Sequence, residues 1–145
     1  MSYWSWDQSL SVGVDVIDGQ HQRIVDYIND LHLAKQEQNR DKVSTILTAL
    51  VDYTRTHFVF EEDIMKQSRY PLAESHKKVH DAFILHINEY IRQHESGKDV
   101  TPKLLSELQI WLTNHIKKDD RDYALCVNKM TKKGWIQKTL SRFFG

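Results

Sequence analysis

Thr56-His57-Phe58-Val59-Phe60-Glu61-Glu62 is the stretch on which the fold turns. His57 and Glu61 are four residues apart in a strongly helical run, so their side chains stack on one face, one turn apart. The residues around them define that face. Val43, Leu47, Leu50, Thr54, His57, Glu61 and Ile64 alternate steps of four and three, the core stripe of a bundle helix. A histidine and a glutamate thus stand where Leu or Ile is expected. A buried, unpaired carboxylate is costly, and a metal ion is the simplest partner that removes the cost for both residues.

Working outward, the same alternation recurs. Ile17, His21, Ile24, Ile28 and Leu31 mark a first helix, with Asp18 as its expected N-cap and an end near Gln38. The second helix spans about 41–67. Tyr70-Pro71 breaks the chain, because proline cannot continue a helix and restricts the residue before it. His76, His80, Phe83, Ile87 and Tyr90 or Ile91 mark a third helix over about 72–95, ended by Gly97. Thr101-Pro102 reads as the start of a fourth, which buries Leu104, Leu108, Trp111 or Leu112, and His115. Helix is expected to resume after Asp120. Residues 1–17 read as an extended arm that buries Trp4 and Trp6. The fold class is therefore all-α: an antiparallel up-down-up-down four-helix bundle with an N-terminal extended arm and a short C-terminal amphipathic helix. One bundle over 1–130 and a tail over 131–145 account for the chain, with no second domain.

Bulk properties narrow the function. Acids and bases balance at 20 each in 145 residues, so no global field points to nucleic acid as partner. No apolar run approaches the ~18 residues of a membrane span, and the N-terminus has no signal-peptide pattern. A single cysteine, Cys126, excludes an internal disulfide. The expected location is cytoplasmic and the expected state monomeric.

Histidine is the outlier, at eight residues. His21, His57, His76, His80 and His115 fall on inward stripes, together with Glu61. They lie near the start of helices one and three and near the end of helices two and four. In an up-down bundle those are one and the same end. His32, His86 and His94 lie away from this pattern and read as surface residues or supports.

These residues stand in a recognisable order. Ile17-Asp18-x-Gln20-His21, His57-Phe58-x-x-Glu61-Glu62, His76-x-x-x-His80 and Trp111-Leu112-x-x-His115-Ile116-x-x-x-Asp120-x-x-Tyr123 together resemble the bacterial hemerythrin family over about residues 4–125. The resemblance implies a non-haem centre of two iron ions joined by an oxo or hydroxo bridge. His76, His80 and His115 would hold one iron and His21 and His57 the other, with Glu61 and Asp120 bridging. Asp120 comes from the resemblance alone. Five residues beyond His115 lies about 140° around a regular helix, whereas Asp119 would stack beneath it, so helix four is expected to end or distort there. Asp119 and Glu62 are read as surface acids, and Tyr123 as a possible hydrogen bonder behind the ligands.

The implied function is reversible dioxygen binding for storage or delivery, with the open position on the iron of His21 and His57 and no catalytic residue. Imidazole and carboxylate suit non-haem iron. Ile24, Phe58, Phe83, Trp111, Leu112 and Ile116 would form a dry oxygen pocket while also packing the core. A ferritin-like oxidase uses Glu-x-x-His, which does not occur in this sequence, and His76-Lys-Lys-Val-His80 lacks the general-base glutamate of a zincin. A sensor acting through the tail, or an enzyme of peroxide or nitric oxide, are the rival functions. The tail carries four bases and no acid, with Trp135, Ile136, Leu140, Phe143 and Phe144 on one helical face. It would either pack on the bundle or dock to an anionic membrane or to a partner such as an oxygen-consuming enzyme.

Overall fold

A computed structural model describes residues 3–129 and 134–144. Four long helices form the bundle: α1 (Asp15–Gln36), α2 (Arg40–Gln67), α3 (Ala73–Glu95) and α4 (Thr101–His115). A π-helical turn, Ile116–Asp120, joins α4 to α5 (Arg121–Asn128), and α6 (Trp135–Phe144) closes the chain. The described residues contain no strand. The expected boundary at 130–131 lies outside the described residues.

The helices form where the stripes predict them. Every stripe residue named on α2, from Val43 to Ile64, is buried, as are Ile17, His21, Ile24, Ile28 and Leu31 on α1. On α3 the open choice falls to Tyr90, which is buried while Ile91 is half-buried; on α4 Leu112 is buried and Trp111 half-buried. The connections are short and their chemistry local. Asn39 caps α2 by accepting from the Lys42 amide at 3.0 Å. Gly97 ends the α3 connection at φ +100°, a region in which a side chain is strained.

Three expectations need correction. Asp18 does not cap α1, which begins a turn earlier at Asp15. Its carboxylate instead accepts from the Val12 amide at 2.9 Å and the Ser11 hydroxyl at 2.5 Å, tying the arm to the helix. The arm is not fully extended, since Gln8–Leu10 form a 3-10 turn. Its tryptophans are half-buried rather than buried. Trp4 is held through its backbone, which exchanges two 2.8 Å hydrogen bonds with the Asn29 side chain.

The C-terminal helix packs on the bundle. Phe143 and Phe144 meet Phe60 edge-on, and Phe144 also reaches Tyr53. Gln67 donates to Thr139 at 2.9 Å, and Arg142 lies 3.3 Å from Asp63. α6 thus covers the outer face of α2, the helix whose inner face carries His57 and Glu61.

Candidate metal centre

Each inward residue arrives at one end of the bundle because its helix stripe, not a loop, carries it there. α1 supplies His21, α2 His57 and Glu61, and α3 His76 and His80. α4 supplies His115, and the π turn supplies Asp120. The π turn solves the spacing problem. By widening one turn to five residues it brings Asp120 onto the face of His115. Asp120 is then fully buried, while the next acid back, Asp119, points to the flank of the same helix.

The candidate ligand atoms fall into two groups. Glu61, His76, His80, His115 and Asp120 form one, and His21, His57, Glu61 and Asp120 the other, each within 4.8 Å of all its members. Glu61 and Asp120 belong to both. In the first group His80 Nε2 and His115 Nε2 are 3.1 Å apart, and Asp120 Oδ1 lies 3.0 Å from His76 Nε2 and 3.2 Å from His115 Nε2. In the second, His21 Nε2 is 3.0 Å from Asp120 Oδ2, and His57 Nε2 is 3.1 Å from Glu61 Oε1. The two Asp120 oxygens therefore face different groups. Glu61 Oε1 also lies 3.4 Å from His80 Nε2, so this carboxylate reaches both.

Apart from His80 Nε2–His115 Nε2, these close pairs are not hydrogen bonds. His21 Nε2, His76 Nε2, Glu61 Oε1 and both Asp120 oxygens are buried without a hydrogen-bond partner. Polar atoms at such depth are almost always paired, and an unpaired one costs about 1–3 kcal/mol. The spacing itself is that of a coordination shell. Two ligands at right angles on a metal about 2.1 Å away are about 3.0 Å apart. The donor set of imidazoles and carboxylates, its orphaned atoms and its spacing together fit a pair of cations.

For three of the five candidate histidines the other ring nitrogen fixes the direction of the ring. His57 Nδ1 donates to Gln20 Oε1 at 2.5 Å, His80 Nδ1 to Glu62 at 2.8 Å, and His115 Nδ1 to Asp119 at 2.9 Å. With Nδ1 protonated and engaged, Nε2 presents a lone pair to the centre. Glu62 and Asp119 are thus not idle surface acids, correcting the sequence reading. Asp119 was findable from its i, i+4 spacing to His115. Glu62 and Gln20 act across helices, on His80 and His57, and no local pattern reveals that. Tyr123, fully buried, donates its hydroxyl to Glu61 Oε2.

Electrostatics follow from this geometry. Burial pushes His21 and His115 down, but their carboxylate neighbours outweigh it, so His21 rises to about 9 and His115 to about 10. At His57 burial prevails over Glu61 and the imidazole is lowered. Burial raises Glu61 and Asp120, yet the surrounding histidines hold both well below the carboxylate range. Burial and the two carboxylates push Tyr123 well above its ordinary value, so its hydroxyl stays protonated.

Aromatic rings wall the three-histidine group. Phe58 stacks on His80 at 3.8 Å and 3°, and Trp111 stacks between His115 and Phe83. Phe83, Trp111 and His115 line a groove of about 370 Å³ between α3 and α4, and Phe58 and His80 line another between α2 and α3. Ile24, Leu112 and Ile116 are buried in the core.

Of the remaining histidines, His86 is exposed beside Glu107 and His32 lies against Tyr3. His94 is neither surface nor a support of the centre. It is buried among residues at the opposite end of the bundle, 2.7 Å from Ser44.

Comparison with known proteins agrees with this architecture. A family model described as the hemerythrin HHE cation binding domain matches residues 12–125. The chain is 40% identical over 153 aligned residues to a bacteriohemerythrin of Stenotrophomonas maltophilia, and 38% identical to one of Pseudomonas aeruginosa, covering all of each chain. A crystal structure of wild-type hemerythrin superposes with a TM-score of 0.82 at 30% identity, over 87% of this chain and 98% of that one.

Proposed function

The chain belongs to the hemerythrin family, and from that premise we propose that it binds dioxygen reversibly at a non-haem di-iron centre, for storage or delivery rather than catalysis. One observation carries the reading: two groups of inward ligand atoms, buried and unpaired, share Glu61 and Asp120. His76, His80 and His115 would hold one iron, and His21 and His57 the other, with the two carboxylates spanning both. Iron held by these residues would supply the electrons that reversible dioxygen binding requires.

The chain's own residues favour release over further chemistry. Glu61 and Asp120, as ligands of the cations they would span, would carry no proton. Tyr123 keeps its proton and spends its hydrogen bond on Glu61, fixing that carboxylate. Gln20 orients His57 without offering a charge. Phe58, stacked on His80, and Trp111, stacked on His115, cover faces of two rings of the three-histidine group. The site thus offers little acid to cleave an O–O bond.

The test is spectroscopic. The reduced, iron-loaded protein is examined before air, after air and after deoxygenation, with iron counted per chain. Charge-transfer bands that appear with oxygen and vanish on its removal, at two irons per chain, are expected. Irreversible oxidation, or steady turnover of peroxide or nitric oxide, would overturn the carrier reading in favour of sensing or catalysis.

A further inference from the structure

The ligand histidines differ in what stands behind them. A carboxylate faces Nδ1 of His80 and of His115: Glu62 at 2.8 Å and Asp119 at 2.9 Å. Behind His57 stands the neutral amide of Gln20, and His21 Nδ1 has no hydrogen-bond partner. The group of three histidines therefore has two anions in support, and the group of two has none. A carboxylate accepting from Nδ1–H holds the ring in place and makes Nε2 a stronger donor to a metal. It also adds negative charge on the side of the ring away from a dication.

We propose that the two cation positions are unequal by construction, with Glu62 and Asp119 as positioning residues that make the three-histidine position the tighter and the last to be emptied. The inference rests on the di-iron reading above. The extra imidazole already favours that position, so the share of the carboxylates has to be isolated by changes that leave every ligand intact. Their location permits this. The Glu62 side chain is 20% exposed and that of Asp119 46%. Glu62→Gln and Asp119→Asn therefore keep volume and a hydrogen-bond acceptor while removing charge at the rim of the bundle.

The experiment follows loss of Fe(II) from the reduced, anaerobic protein to an excess of a coloured ferrous chelator. The unmodified protein should release iron in two phases of equal size. Glu62→Gln and Asp119→Asn should each accelerate the slow phase by about 10–100-fold, the usual cost of removing such a support, and leave the fast phase unchanged. Glu62→Asp, which restores the charge, should recover much of the loss. Glu107→Gln, which removes a carboxylate facing the exposed His86, should change neither phase. A merely structural role would accelerate both phases together, and that result overturns the inference. So does a single phase in the unmodified protein, or a slow phase indifferent to both substitutions. The two failures are separable: a protein that never holds two irons defeats the di-iron reading itself, whereas one that holds two and ignores Glu62 and Asp119 defeats this inference alone.

Discussion

Both ends of this bundle bury histidine, and they do so in opposite ways. At the far end His94 Nε2 meets Ser44 Oγ at 2.7 Å, and Ser44 in turn donates to the Arg40 carbonyl at 3.2 Å. The chain closes if Nε2 carries the proton, so the outward nitrogen of the imidazole is spent on a neighbour. Burial, then Arg40, lowers its pKa. At the candidate metal end His57, His80 and His115 engage Nδ1 instead, and Nε2 atoms converge on unpaired carboxylate oxygens. Burial alone therefore does not mark a ligand. The mark is which nitrogen is already used, and whether the acids nearby have partners of their own.

The hardest test of that contrast is to remove a histidine from the metal end. His57→Ala deletes a proposed ligand of the two-histidine group and should leave about one iron per chain, with reversible oxygen binding lost. Retained stoichiometric oxygen binding would falsify the assignment of the open position. The next effect in size concerns the outer face of α2. Deleting 131–145 uncovers Phe60, which α6 now covers, and should cost about 1.5–3 kcal/mol from that ring alone. Chemical denaturation should show the loss while iron content stays at the full-length value. A truncated chain that no longer holds iron would mean that α6 supports the inner face of α2 as well as its outer one.

How much of this was legible in the sequence follows from where each signal is stored. The helices and their inward faces are local, periodic properties, so the stripes through His21, His57, Glu61, His76, His80 and His115 could be read directly. Asp120 could not. A regular helix would have nominated Asp119, and only the resemblance indicated that the turn must distort, as the π-helical Ile116–Asp120 does. Gln20, Glu62 and the Ser44–His94 pair are contacts between helices, and no spacing within one helix encodes them. Asp18 was misassigned for a related reason: its competing partners, Ser11 and Val12, belong to an arm whose path the sequence does not specify.

His21 and His115 at one end and His94 at the other should also titrate in opposite directions once the protein is free of metal. His21 and His115 have folded-state values raised to about 9 and about 10. Groups raised on folding contribute stability that is complete below their unfolded value, about 6.5, and lost as pH climbs through the folded value. The melting temperature of the metal-free chain should therefore fall between pH 7 and 10. The iron-loaded protein should not share that alkaline fall, because its ligand nitrogens no longer bind protons. Equal alkaline slopes for the two forms would break the link between the histidine cluster and the metal.

His94 gives the smallest effect and the sharpest control. Its pKa is lowered, so its contribution is present above about 6.5 and lost as pH falls below it, because the unfolded ring takes up a proton that the buried ring resists. His94→Leu keeps an apolar side chain of similar size and leaves Ser44 its bond to the Arg40 carbonyl. It should cost about 1 kcal/mol at neutral pH for the lost hydrogen bond and leave iron content unchanged. Below pH 6 the variant should lose less stability per pH unit than the parent, because a group that binds a proton only on unfolding has been removed. A variant that instead loses iron would show the far end to be coupled to the centre, and the division of labour between the two buried histidine sites would have to be abandoned.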